Sequence, residues 1–331
     1  MSSKERKICW GVLGYARIAR EGVIPAICRS SNSVFHAIAS RDQTKMAECR
    51  RLFSPPNAHR GYLELLDDPE VDAVYIPLAN SLHQEWSIRA ADRGKHVLCE
   101  KPLALNAAGC REMIAACAAN KVLLMEAFMY RYTERTAKTL EVLRSGELGE
   151  IKFISSTFRF LLDNPASIKF KPELGGGALY DVGCYPINFT GLVLDQITRS
   201  QSPTLPQSVC VQSVTGGGVD LIFSALLKYS SGVVASLNCG FNAQKRVYSE
   251  IVGTGGALQI PDTFFDNAGA LTLIQGEEQR EIPVAATDRY RLEVEDFADA
   301  ILRRRPPRLS LAETERNMEV LERLLKASSS A

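Results

Sequence analysis

Five short apolar runs in residues 1–127, alternating with four stretches of helical periodicity, restrict the fold more than any other feature of this chain. They are Ile8–Leu13 and residues 34–39, 72–77, 96–99 and 122–125. A strand that is apolar at nearly every position must be covered on both faces, and the intervening helices supply the cover. The alternation predicts a doubly wound parallel sheet. The helix opened by Asn106 carries Cys110, Met113, Ile114 and Cys117 at i, i+3, i+4 and i+7, so its thiols belong to a core.

The alternation then stops. After a helix over 133–145, strand-like runs follow at 151–160, 209–214, 221–229, 233–241 and 247–252. Strands without helices between them predict a mostly antiparallel sheet in a second domain. Two amphipathic helices close the chain. Val294, Phe297, Ala298 and Ile301 line the first, and Ser310-x-x-Glu313 reads as a capping box for the second. A length of 331 residues with 46% apolar content suits two domains, placed at 1–127 and 128–331.

Composition excludes several function classes. A net charge of +1 gives no electrostatic case for nucleic acid or an anionic membrane. Nine scattered cysteines without CxxC spacing read as reduced thiols in a cytoplasmic protein. Four histidines lie far apart in sequence, so no metal site is expected. The chain starts MSSKERK, without an apolar leader, and no apolar run is long enough to span a bilayer.

Ligands of open α/β sheets sit at the carboxyl ends of the strands, and chemistry-bearing residues gather at those positions. Gly14-Tyr15-Ala16-Arg17-Ile18-Ala19 follows the first strand, where a dinucleotide fingerprint would lie; Gly14 matches it, and alanines replace the other two glycines. The second strand ends in Ser40-Arg41, with Lys45 one turn on. An acidic residue there would hold a ribose 2′-hydroxyl, whereas a hydroxyl and a guanidinium suit a 2′-phosphate. The pattern favours NADP(H) over NAD(H), although Asp42 keeps NAD open. Leu78, Asn80 and His83 follow the third run, and Glu100-Lys101-Pro102 the fourth. A solvated turn is the plain reading of a Glu-Lys pair, but a proline that stiffens the exit of a buried strand argues for a held lysine. In the second half, Gly175-Gly176-Gly177 precedes Asp181 and Tyr185, which are four apart and share a helix face. The glycines read either as a flexible turn or as room for a ligand against the backbone, and the neighbouring Asp and Tyr favour the ligand.

Taken together, GYARIA (14–19), ASRD (39–42), YIPLANSLH (75–83), GKHVLCEKPLA (94–104), EAFMYR (126–131) and GGGALYDVGCYPIN (175–188) make the chain resemble the Gfo/Idh/MocA family of glucose–fructose oxidoreductase, inositol dehydrogenase and rhizopine-catabolism proteins. The resemblance implies a Rossmann domain followed by an α+β domain whose large open sheet assembles dimers or tetramers. It also implies NAD(P)-linked oxidation or reduction of sugars and related polyols. Cofactor contacts would come from Gly14, Tyr15, Ala16, Arg17, Ile18, Ser40, Arg41, Lys45, Leu78, Asn80, His83, Glu100 and Lys101; substrate contacts would come from Asp181, Lys169 and Arg131. Many members carry histidine where this chain has Tyr185, a departure shared with the branch of glucose–fructose oxidoreductase, dihydrodiol dehydrogenase, NADP-linked xylose dehydrogenases and ketosugar reductases. Thr133-Glu134 replaces a common His-Pro, and Lys169 a common arginine, which leaves the sugar open.

Hydride transfer needs a group that moves one proton. A lysine cation nearby lowers a phenol's pKa, so Tyr185 is expected as acid/base, with Lys101 orienting the reacting oxygen. A non-catalytic NADP sensor would need no such trio as Lys101, Asp181 and Tyr185. A redox-assisted glycosidase on the same scaffold would show no net NADP turnover.

Overall fold

A computed structural model describes residues 6–198 and 203–329. The chain divides into two compact units, residues 1–129 with 288–311, and residues 130–287 with 312–331. The segment 288–311 returns to the first unit, which no composition change in the sequence announces.

The first unit is a six-stranded parallel sheet in the order β3-β2-β1-β4-β5-β6. Its strands are β1 (Ile8–Leu13), β2 (Ser33–Ala39), β3 (Asn57–His59), β4 (Ala73–Ile76), β5 (His96–Glu100) and β6 (Leu124–Ala127). The five apolar runs are the four inner strands and the far edge, β6. β3 adds a sixth that periodicity could not show, because three residues, Asn-Ala-His, have no apolar pattern and are held by backbone pairing to Ala37 and Ala39. The helices are α1 (Ile24–Arg29), α2 (Gln43–Phe53), α3 (Tyr62–Leu66), α4 (His83–Ala91) and α5 (Ala107–Ala119), with α8 (Arg289–Arg303) arriving from the far end of the chain. Phe297 of α8 lies 5.8 Å from the ring of Trp10, and Val294, Phe297 and Ala298 are fully buried. Cys110, Met113 and Cys117 point into the core as their spacing requires.

The second unit holds α6 (Glu134–Ser145), α7 (Cys184–Thr198), all but the first residue of α9 (Leu311–Ser329) and an eight-stranded sheet in the order β14-β13-β12-β11-β7-β10-β9-β8. These strands are β7 (Ile151–Leu161), β8 (Ser208–Gly216), β9 (Val219–Lys228), β10 (Val234–Gly240), β11 (Asn242–Gly253), β12 (Ala257–Pro261), β13 (Gly269–Gln275) and β14 (Glu278–Val284). Every pair is antiparallel except β7 with β10. Ile154, Phe223, Ala225, Leu227, Ala235 and Leu237 face the core, and α7 lies over β7 and β10.

Candidate active site

The carboxyl end of β5 in the first unit is clamped residue by residue. Glu100 Oε1 accepts the Tyr75 hydroxyl at 2.6 Å. The carbonyl of Pro102 faces His83 Nδ1 at 2.9 Å, and the amide of Leu103 donates to buried Glu126 at 2.9 Å. Three side chains from β4, α4 and β6 therefore fix residues 100, 102 and 103, and Lys101 stands between them, half-buried, with a cis bond to Pro102. His83 is fully buried, and its second nitrogen lies 3.1 Å from the carbonyl of Leu78. Burial, reinforced by the Lys101 charge, pushes it down to about 4 against the hydrogen bonds to the two carbonyls. The neutral ring can donate to only one of those carbonyls. His83, expected at the cofactor, thus ties the Leu78 turn to the Pro102 turn. Sequence reading missed Tyr75 as its partner in this clamp; a lone hydroxyl in an otherwise apolar strand was the available signal.

At the end of β1, Gly14 has φ +100°, a conformation that side chains resist, and a Cβ there would come within 2.9 Å of Leu78. Tyr15 is buried, and burial pushes its phenol up to about 12; Ala16 and Ile18 are half-buried and Arg17 is exposed. Residues Ala19–Val23 form a π-helical turn before α1. At the end of β2, Asp42 caps α2 by accepting the amides of Thr44 and Lys45 at 3.0 and 3.1 Å. Ser40 Oγ accepts the Asp42 amide at 3.2 Å, while Arg41 and Lys45 are exposed. The guanidinium of Arg41 lies 6.0 Å from the Tyr62 ring, which packs edge-on to Trp86 at 4.9 Å. Arg41, Tyr62, Leu82 and Trp86 help line a cavity of about 460 Å³. Tyr62 and Trp86 were not among the expected contacts, since neither belongs to a recognisable spacing.

The second unit carries its own cluster. A π-helical turn, Leu179–Gly183, runs into α7 and carries Asp181, with Tyr185 just beyond it. Lys169 Nζ donates to Asp181 Oδ2 and lies 5.0 Å from the ring of Phe160. Tyr185 is buried against Phe264 (5.2 Å), Phe158 (5.3 Å) and Tyr130 (6.1 Å). Arg131 is also buried, with an ion pair to Glu313 at 3.0 Å and a 3.3 Å hydrogen bond to Asn188, which also accepts the Tyr130 hydroxyl. This Arg131–Glu313 pair anchors α9 inside the unit.

The glycine triplet corrects the expectation that it makes room for a ligand. A Cβ on Gly176 would fall 2.6 Å from the carbonyl of Lys169, and one on Gly177, at φ +118°, would collide with Asp220. The space is taken by the protein's own chain. Asp220 in turn accepts the Leu179 amide at 2.7 Å and fastens the turn that presents Asp181.

The scattered histidines also meet unexpectedly. His36 Nε2 and Asp68 Oδ2 are 3.4 Å apart, and His59 Nε2 lies 3.6 Å from the same Asp68 oxygen. The Asn57 amide donates to both His36 (3.0 Å) and Asp68 (2.9 Å), and Glu70 lies 3.4 Å from His36.

Comparison with known proteins places this geometry. The family described as "Oxidoreductase family, NAD-binding Rossmann fold" matches residues 8–128, and the "GFO/IDH/MocA C-terminal domain" matches residues 136–259. D-xylose 1-dehydrogenase (NADP(+)) 2 from Haloferax volcanii is 36% identical over 323 residues, covering 96% of this chain and 97% of that protein. A dTDP-3,4-didehydro-2,6-dideoxy-alpha-D-glucose 3-reductase from Saccharopolyspora spinosa is 32% identical over 291 residues, covering 87% and 86%. The crystal structure of KijD10, a 3-ketoreductase from Actinomadura kijaniata in complex with NADP and TDP-benzene, superposes with a TM-score of 0.89 at 28% identity, covering 97% of this chain and 98% of that one. With both halves of the family matched in order and relatives of this identity along nearly the whole length, the chain belongs to the Gfo/Idh/MocA family of oxidoreductases.

Proposed function

We propose that the protein is an NADP(H)-dependent oxidoreductase that moves a hydride to or from a hydroxyl or carbonyl carbon of a sugar, with Tyr185 and Lys101 handling the proton. The observation that carries this reading is the clamp on Glu100, Pro102 and Leu103, which holds Lys101 at the carboxyl end of a parallel strand. The residues suit NADP. Gly14 leaves the first turn without a side chain, and Asp42 spends its carboxylate on a helix cap, so Ser40, Arg41 and Lys45 are the groups left to meet a 2′-phosphate. The Arg41–Tyr62–Trp86 cavity would take the adenosine end.

When bound, the nicotinamide supplies or accepts the hydride. Lys101 orients the reacting oxygen and stabilises negative charge that develops on it. Tyr185 gives or takes the proton, its ring direction fixed by Phe158 and Phe264. Asp181, held by Lys169, accepts a hydrogen bond from a sugar hydroxyl. The second unit's sheet, with Leu226 of β9 and Val214 of β8 each about half exposed, is the proposed surface for a dimer or tetramer; a monomer by light scattering at micromolar concentration contradicts that part.

The test is a panel of aldoses and ketosugars assayed by NADPH absorbance. Tyr185→Phe and Lys101→Ala should each cut turnover by roughly 10²–10⁴ with NADPH binding and melting near those of the parent. Near-parental turnover in either variant removes that residue from the proton path.

A further inference from the structure

Glu293 has no part in the chemistry above, yet packing alone does not explain it. It lies on α8, the helix that returns to the first unit, and only 1% of its surface is exposed. Its Oε1 is sealed from solvent with no hydrogen-bond partner among the described residues. A buried carboxyl without a partner lowers stability, and a leucine or methionine would fill the same volume without that penalty.

The groups around it come from three elements. From β5 comes Glu100, whose charge opposes ionisation of Glu293; from β4 comes Tyr75, which donates to Glu100 at 2.6 Å. From α8 itself come Asp296, which also opposes ionisation, Arg289, which favours it, and Tyr290. Burial outweighs these and pushes the Glu293 carboxyl well above the usual range. Tyr75 and Tyr290 are likewise raised by burial, Tyr290 to about 12, so neither phenol contributes a charge near neutrality. Tyr290 senses both Glu100 and Lys101, which puts this group of residues around one end of β5. Two carboxyls whose charges oppose one another favour one proton between them, because like charges in a dry site repel.

We propose that Glu293 is a positioning residue for the reaction, acting on Lys101 through Glu100. The proposal rests on the role given to Lys101 above. With its proton in place, Glu293 adds no second negative charge to that of Glu100, the lysine's neighbour in β5. Losing that proton puts a second anion against Glu100 and disturbs the charge balance that holds Lys101.

Two variants test it. Glu293→Gln keeps the shape and removes the titration, while Glu293→Leu removes both oxygens. Turnover against pH is read with the panel sugar that the parent uses fastest, beside NADPH binding by fluorescence and thermal melting at pH 8. The proposal expects NADPH affinity within about twofold of the parent and melting no lower than the parent for both variants, since the buried acid is gone. Turnover of the Leu variant should fall about tenfold or more, as small losses of alignment do. The alkaline break of the Gln variant should move by about one pH unit or more. Parental turnover with a superimposable pH profile in both variants overturns the proposal. Carboxyl NMR of ¹³C-glutamate-labelled protein gives a reading that needs no substrate: the Glu100 titration should shift in Glu293→Gln, and an unchanged one also overturns it. Full turnover in Lys101→Ala is a separate failure. It would remove the lysine's role, and this route with it, even where the NMR shows the two carboxyls coupled.

Discussion

His83 illustrates how a single side chain can tie the turn around Lys101 to stability. The native ring, pushed down to about 4, stays neutral, whereas in the unfolded chain it takes a proton near 6.5. A lowered native value contributes stability that is complete above the unfolded pKa and is lost as pH falls toward the native one. Between pH 6.5 and about 4 the loss should total roughly 3 kcal/mol. Denaturant melts across that window should be steeper for the parent than for His83→Gln, and parallel curves contradict the assignment. Arg41 bears on cofactor choice. Arg41→Ala should raise KM for NADPH about tenfold more than for NADH, the scale of one charged hydrogen bond. Equal effects would mean that the guanidinium does not meet a 2′-phosphate. Lys101, Tyr185, Ser40 and Arg41 stand out as candidates in the sequence because each sits at a strand exit or in a motif. Tyr75 and Asp220 were not, since each acts through a partner 25 and 41 residues away, Glu100 and Leu179, that only folding brings near.

Elements were legible where their period was strong. The inner strands of the first sheet are apolar at nearly every position and declared themselves. β3, β12, β13 and β14 did not: β3 is three residues long, β12 five, and β14, Glu-Gln-Arg-Glu-Ile-Pro-Val, is polar because it is a sheet edge with little to bury. The segment 175–177 was recognised but misread, because glycine chosen for close approach looks the same whether the neighbour is a ligand or the protein itself. Here Gly177 faces Asp220, and Asp220 fastens the turn bearing Asp181. Gly177→Ala should therefore destabilise the fold by about 2 kcal/mol or more through strain at positive φ and through the displaced Asp220. A variant that melts with the parent and keeps full turnover contradicts this account.

On the scale of the molecule, the chain leaves the first unit after residue 129 and sends 288–311 back to it. That return brings Glu293 to Glu100, and it was invisible to a linear division because α8 has an ordinary amphipathic pattern. No described helix is long and apolar enough to cross a membrane. The central claim, hydride exchange between a sugar carbon and NADP, can be measured without reference to any variant. The protein is incubated with NADP⁺ or NAD⁺ and aldoses, D-xylose first, deuterated at C1, and the nicotinamide is recovered for mass and NMR analysis. The account predicts deuterium at C4 of the nicotinamide, faster with NADP⁺ than with NAD⁺. Bound NADP⁺ recovered unreduced and unlabelled across the whole sugar panel, in either direction of reaction, would contradict it.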